Sequence, residues 1–136
     1  MEEEGLRRGK NSHIFVMAEI PSNIILADEF SKYFDGFSIG SNDLTQLTLG
    51  IDRDNIRLSK TFNERDPAVK TMIKNLINSA HKNKRKVGIC GEAPSYFPDF
   101  TEFLVRCGID SISVNPEVAL KTKILVSKIE KKIKKI

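Results

Sequence analysis

The stretch "DPAVKTMIKNLINSAHKNKRKVGIC", Asp66 to Cys90, decides the fold class. Asp66 offers a carboxylate as N-cap, and Pro67 suits the first helical position, where its missing N–H has no helical partner to lose. Val69, Met72, Ile73, Leu76, Ile77 and Ala80 recur three and four residues apart, which lines one face of a helix with apolar side chains. A polar run then leads to "KVGIC" (86–90), short and apolar enough to be a strand buried in a parallel sheet. A helix feeding such a strand is the unit of α/β folds.

The same alternation extends in both directions. Outward from Asp66–Cys90, "HIFVMAEI" (13–20), "GFSIG" (36–40) and "SISVN" (111–115) read as further buried strands. Pro21-Ser22 opens a helix carrying Ile24, Ile25 and Ala27, and Pro98 begins one with Phe100, Phe103, Leu104 and Cys107 on one side. Asn115 caps a final helix that Pro116 begins, giving the order βαβαβαβα. The middle unit is stretched by "GIDRDNIRLSKTFNERD" (50–66), a polar segment with Arg53, Arg57 and Arg65 that reads as mobile, and loops of this length are usually functional or disordered. Four βα units admit two closed solutions, a doubly wound open sheet or half of an eight-stranded βα barrel of the TIM type. Neither GxGxxG nor GxxxxGK[ST] occurs, so the nucleotide-binding version of the open sheet has no local support.

Bulk properties fit one domain or part of one. A chain of 136 residues can bury a substantial core, and no apolar run approaches the roughly 20 residues of a membrane helix. "MEEEGLRRGK" is too charged for a signal peptide. Cys90 and Cys107 have neither a CxxC spacing nor a disulfide-rich context, so a cytoplasmic setting is expected. The net charge of +4 comes from residues 121–136, "KTKILVSKIEKKIKKI", which carry +6 and leave −2 for the rest. Leu125, Ile129, Ile133 and Ile136 at helical spacing among lysines describe an amphipathic helix with a solvated face, ahead of a role at nucleic acid or a membrane surface.

Chemistry in either fold gathers where parallel strands end. Glu19, Ser41-Asn42-Asp43, Cys90 and Asn115 occupy those ends here. Each has an ordinary structural reading: a first-turn acid, caps and turn formers, and, for Cys90, a small buried filler. Together they make a set. Two hard carboxylates from adjacent strand ends suit Mg²⁺, which leaves its other positions to water and substrate oxygens. His13 and His81 are isolated, so no zinc cluster is indicated. A thiol beside such a cation is drawn towards the thiolate and can exchange a proton with an enolate.

In order and spacing, "MAEIPSN", "FDGFSIGSNDLTQLTLGIDRD", "FNERDPAVK", "VGICGEAPS" and "GIDSISVNPE" resemble the C-terminal part of the phosphoenolpyruvate synthases, also called pyruvate, water dikinases. Pyruvate phosphate dikinase and enzyme I of the sugar phosphotransferase system share parts of these motifs. Glu92 departs from the synthase pattern, which commonly reads Gln there. The resemblance implies a βα barrel, residues 1–136 being its C-terminal half with a basic tail helix over 116–136. It implies Mg²⁺ held by Glu19 and Asp43, contacts to pyruvate or phosphoenolpyruvate from Glu19, Gly40, Ser41, Asn42 and Asp43, Arg53 on a phosphate or carboxylate, and Cys90 as acid/base at the substrate methyl carbon. The chain has neither the family's phosphohistidine motif nor its ATP-binding domain, so it is expected to be inactive alone and to need the missing N-terminal portion or a second copy. Alone, a half barrel would leave a sheet edge and an apolar inner face uncovered. A non-catalytic half-barrel module that pairs through that edge, as a homo-oligomer or with the full-length enzyme, is the alternative.

Overall fold

The computed structural model describes residues 4–5, 9–55, 58 and 61–134. Four parallel strands, β1 (Phe15–Ala18), β2 (Gly36–Gly40), β3 (Lys86–Cys90) and β4 (Ser111–Ile112), form one sheet in the order β1-β2-β3-β4. Between them lie α1 (Pro21–Ile25), α2 (Ala27–Phe30), α3 (Ser41–Leu49), α4 (Pro67–Lys82), α5 (Ala93–Tyr96) and α6 (Pro98–Arg106). A 3-10 turn (Pro116–Val118) then leads into α7 (Ala119–Ile133).

Sequential strand order separates the two solutions left open by the sequence. A doubly wound sheet reverses direction at a switch point, whereas a βα barrel adds each strand beside the last. The faces of the sheet agree with the barrel. Phe37, Ile39, Val87 and Ile89 are fully buried in a core with Leu44, Val69, Ile73, Leu76 and Phe100 from the helices. Alternate strand residues point the other way. Ser38, Gly40, Gly88 and Cys90 therefore share the opposite face, and the Phe15 ring and Ser111 Oγ lie there too, against the Cα atoms of Gly36 and Gly88. That face is open, with Phe15 and Met17 both exposed. One helix-covered face and one open face make this half of an eight-stranded barrel.

The sequence-based elements differ from this structure at informative points. α4 is as expected: Asp66 Oδ1 accepts the Ala68 N–H at 2.7 Å, and Val69, Ile73, Leu76, Ile77 and Ala80 are buried. The helix expected after Pro21 breaks at Leu26 into α1 and α2. β4 covers two residues rather than five, because only β3 pairs with it. Asn115 does not cap with its side chain; its N–H instead donates to Ser95 Oγ at 2.9 Å. The open face is not broadly apolar. β1 supplies Phe15 and Met17, while β2, β3 and β4 present glycines, serines and Cys90.

The tail helix α7 packs on α6 with Ile129 buried, Leu125 half-buried and its described lysines exposed, but Ile133, expected on the same apolar face, is exposed. Cys107 is half-buried against the core, and burial pushes its thiol up. Ile136 and Arg57 lie outside the described residues. No helix among the described residues is long and apolar enough to cross a membrane.

Candidate active site at the strand ends

β1, β2 and β3 finish level. Ala18 pairs with Ile39 and Gly40 with Cys90, so Glu19, Gly40 and Cys90 stand side by side across the rim. A Cβ added to Gly40 would lie 2.9 Å from Glu19 Cβ and 3.0 Å from its Oε2, so only glycine lets the Glu19 carboxylate lie this close to β2. Asn23 Oδ1 accepts the N–H groups of Glu19 and Ile20, both at 3.3 Å, which ties this strand end to α1.

Cys90 is half-buried and points onto the open face. Its Sγ lies 3.3 Å from Ser38 Oγ, the neighbouring inward residue of β2, and donates to the Ile39 carbonyl at 3.5 Å. A buried filler would sit among apolar side chains on the helical face; this thiol does not. The open face leaves a ligand room to approach it.

β2 runs straight into α3, so Ser41, Asn42 and Asp43 form the first turn of that helix. The sequence places them at a strand end as caps and turn formers, with no helix expected over 41–49. α3 lacks the three-four apolar rhythm, burying only Ser41, Leu44 and Thr45. Its one clear signal was the stop, Gly50, whose left-handed backbone (φ 64°) ends the helix. Asp43 is exposed at the helix start, where a carboxylate suits the dipole.

Sequence reasoning gave Glu64 no role. It sits in the polar segment before α4 and is only 7% exposed. Its Oε1 accepts Ser41 Oγ at 2.5 Å. With the Asn42 amide oriented so that its donors face acceptors, Nδ2 donates to the same Oε1 at 3.2 Å. Asn42 Oδ1 then accepts from Arg53 Nη1 at 3.1 Å. Burial pushes the Glu64 carboxyl up and Glu92 adds to this, against the Ser41 hydrogen bond, the Ala93 backbone and Arg53. Next to it, the Arg65 guanidinium lies 4.1 Å over the Phe97 ring and reaches Asp99 at 3.6 Å. The end of the segment read as polar and mobile is thus packed onto the rim. Asn42, Arg53, Glu64, Arg65, Glu92 and Phe97 line a cavity of about 650 Å³ there.

The structure thus brings the expected residues together in two groups. Glu19, Gly40 and Cys90 stand in one row across the strands, and Ser41, Asn42 and Arg53 are linked through Glu64. Among the described residues no three His, Cys, Asp or Glu side chains cluster as a metal cage. His13 lies 4.0 Å from Asp35 and His81 2.9 Å from Asp110, each in a separate pair. Glu19, just after β1, and the exposed Asp43, in the first turn of α3, are carboxylates at neighbouring strand ends, the donor type that Mg²⁺ takes.

Comparisons with known proteins agree with this geometry. The family described as "PEP-utilising enzyme, PEP-binding domain" matches residues 1–131. Phosphoenolpyruvate synthases of Synechocystis sp. and Aquifex aeolicus are each 59% identical, over 96% and 98% of this chain and 16% of their own length. That of Escherichia coli is 48% identical over 96% of this chain and 17% of its own. The chain therefore spans about a sixth of the length of these relatives. Among solved structures, the HpcH/HpaI aldolase from Desulfitobacterium hafniense DCB-2 matches with a TM-score of 0.57 at 20% identity, covering 91% of this chain and 43% of the aldolase. A citrate synthase variant, SbnG, matches with 0.55 at 15%, covering 96% and 53%. Both likenesses concern the fold alone, and covering about half of each larger chain agrees with half a barrel. With the family matched from end to end of the sheet and the strand-end residues ranged along one rim, the chain belongs to the PEP-utilising enzymes, in their PEP-binding domain.

Proposed function

We propose that this chain is the pyruvate- and phosphoenolpyruvate-binding half barrel of a phosphoenolpyruvate synthase, which converts pyruvate, ATP and water to phosphoenolpyruvate, AMP and phosphate in the cytoplasm. The observation that carries the reading is the row of Glu19, Gly40 and Cys90 across three level strand ends, beside a rim cavity lined by Asn42 and Arg53.

Arg53 keeps an exposed guanidinium for a substrate carboxylate or phosphate, while Ser41 and Asn42 shape the floor beside it. Gly40 leaves the space in which substrate lies against Glu19. Cys90, on the open face, takes a proton from the pyruvate methyl carbon as its thiolate and becomes the thiol. The C–H electron pair passes into the enolate, whose oxygen then bonds to the phosphorus of a phosphohistidine elsewhere in the complete protein as the P–N bond breaks and the histidine leaves. Glu19 and Asp43 are the residues to hold Mg²⁺, which supplies stabilisation of negative charge on substrate oxygens when bound.

The chain acts with a partner in this reading. Among the described residues β1 and β4 each pair on one side only, and Phe15 and Met17 are exposed on the open face, so four further βα units are needed to close the barrel. The rest of a longer synthase supplies them; a second copy is the competing partner, belonging to a non-catalytic module. Co-expression with the remaining five-sixths of a synthase tests the reading. ATP-dependent phosphoenolpyruvate formation is expected from the pair and from neither part alone. A stable symmetric dimer by size-exclusion chromatography, with no turnover on complementation, would favour the module.

A further inference from the structure

We propose that Glu64 is a positioning residue that holds the substrate-facing side chains of the rim, an inference that rests on the function proposed above. A single buried carboxylate oxygen gathers two consecutive residues of the α3 first turn, Ser41 through its hydroxyl and Asn42 through its amide. Asn42 in turn accepts from Arg53, so the chain of contacts runs Ser41, Glu64, Asn42, Arg53. Its ends differ in exposure. Ser41 is wholly buried, while Arg53 is exposed at the cavity, with Asp54 3.9 Å from its Nε.

Burying a carboxylate is costly unless it is well bonded. Glu64 meets that requirement with the buried Ser41 hydroxyl and with Asn42, which lines the rim cavity, rather than with a structural lysine. Asn42 has one amide donor on Glu64 and its oxygen on Arg53, which sets the plane of the amide and brings Arg53 into register with it. Without Glu64, Ser41 keeps no acceptor at this position and the Asn42 amide is free to rotate. A tie that merely anchored the loop would change stability and leave substrate affinity alone.

Glu64→Ala, Glu64→Gln, Asn42→Ala and the Glu64→Ala/Asn42→Ala double variant, each in the complemented enzyme, separate the two roles. Glu64→Ala should lower kcat/KM for pyruvate by about 30-fold, mainly through KM. Glu64→Gln keeps one acceptor oxygen and should lose about fivefold or less. The double variant should lose less than the product of the two single losses, because the residues act in one chain. Losses that multiply, or a Glu64→Ala enzyme within twofold of wild type, would overturn the proposal. A second measurement does not depend on turnover. In the ¹⁵N-labelled 136-residue chain, Glu64→Ala should shift the Asn42 side-chain amide resonances and Glu64→Gln should restore them part of the way; unmoved resonances would refute the contact itself. If the complemented wild-type enzyme made no product, the functional reading would fail, and the amide measurement alone would decide the network.

Discussion

Replacing Gly91 by alanine tests how closely β3 approaches the start of α3. Gly91 follows Cys90, and a Cβ built on it would lie 1.9 Å from Ser41 Oγ, 3.2 Å from Ser41 Cβ and 3.4 Å from Glu64 Oε1. Its backbone is not left-handed, so the cost is steric. Non-bonded contact is comfortable near about 3.5 Å, so the Ser41 hydroxyl must move by roughly 1.5 Å. It can do so by rotating, which gives up its hydrogen bond to Glu64, or the turn after β3 must back away from α3. The first costs about 1.5–3 kcal/mol, as for a hydrogen bond to a charged group, and the second about 1–3 kcal/mol, as for overpacking. Either route predicts a loss of about 2 kcal/mol, which for a chain of this size lowers Tm by roughly 8 °C in a thermal melt. A rim displaced by about 1 Å should also cost on the order of 100-fold in kcat/KM of the complemented enzyme. Adding Ser41→Ala removes the colliding oxygen, so Gly91→Ala should then cost little beyond what Ser41→Ala costs alone through the lost bond to Glu64. A Gly91→Ala chain that melts within 2 °C of wild type would refute the packing argument.

Other expectations concern charge and capping. Burial works against ionisation of Asp110, but hydrogen bonds from Lys86, His81 and the Val87 N–H outweigh it and hold the carboxyl at about 2. Its contribution is therefore present above the ordinary value of 3.8 and lost as pH falls towards 2. Linkage puts it at about 2 kcal/mol at low salt, less in salt because Lys86 is exposed. Asp110→Asn should thus lower the urea midpoint at pH 6 and make little difference at pH 2. Glu64 behaves oppositely, since its carboxyl is raised: its share of stability is present below 4.5 and lost as pH rises through the higher folded value. The stability of Glu64→Gln relative to wild type should accordingly improve from pH 4 to pH 7 in denaturant titrations. Asp66→Ala removes the N-cap of α4 and should cost about 1 kcal/mol, read as a lower melting temperature with activity per folded molecule unchanged.

What could be read from sequence depended on whether local pattern or distant contact set the structure. α4 and β3 were legible because their apolar positions keep strict periods, and the strand ends followed from them. Glu19, Asp43 and Cys90 could be picked out before any contact was known, since parallel topology brings strand ends to one rim. α3 was not legible: its start is polar, its buried face is three residues wide, and Thr45 covers part of it by donating to the Ser41 carbonyl at 2.7 Å. Glu64 was hidden for a different reason. In "FNERDPAVK" it is one charge among several, and its burial comes from contacts with Ser41, 23 residues earlier. The Ser38 to Cys90 contact spans 52 residues and likewise leaves no local trace. The open face is less apolar than expected of an uncovered barrel interior, because the inward positions of β2, β3 and β4 are small or polar.

The most direct test of the proton-transfer rim is solvent exchange at the pyruvate methyl group, followed by ¹H NMR in D₂O with the complemented enzyme, and with its Cys90→Ala variant. Deuterium should enter the methyl group with the wild type and fail to enter with Cys90→Ala, while Mg²⁺ affinity should be unchanged, Glu19 and Asp43 being the proposed ligands. Exchange that continued at the wild-type rate without the thiol would contradict Cys90 as the acid/base.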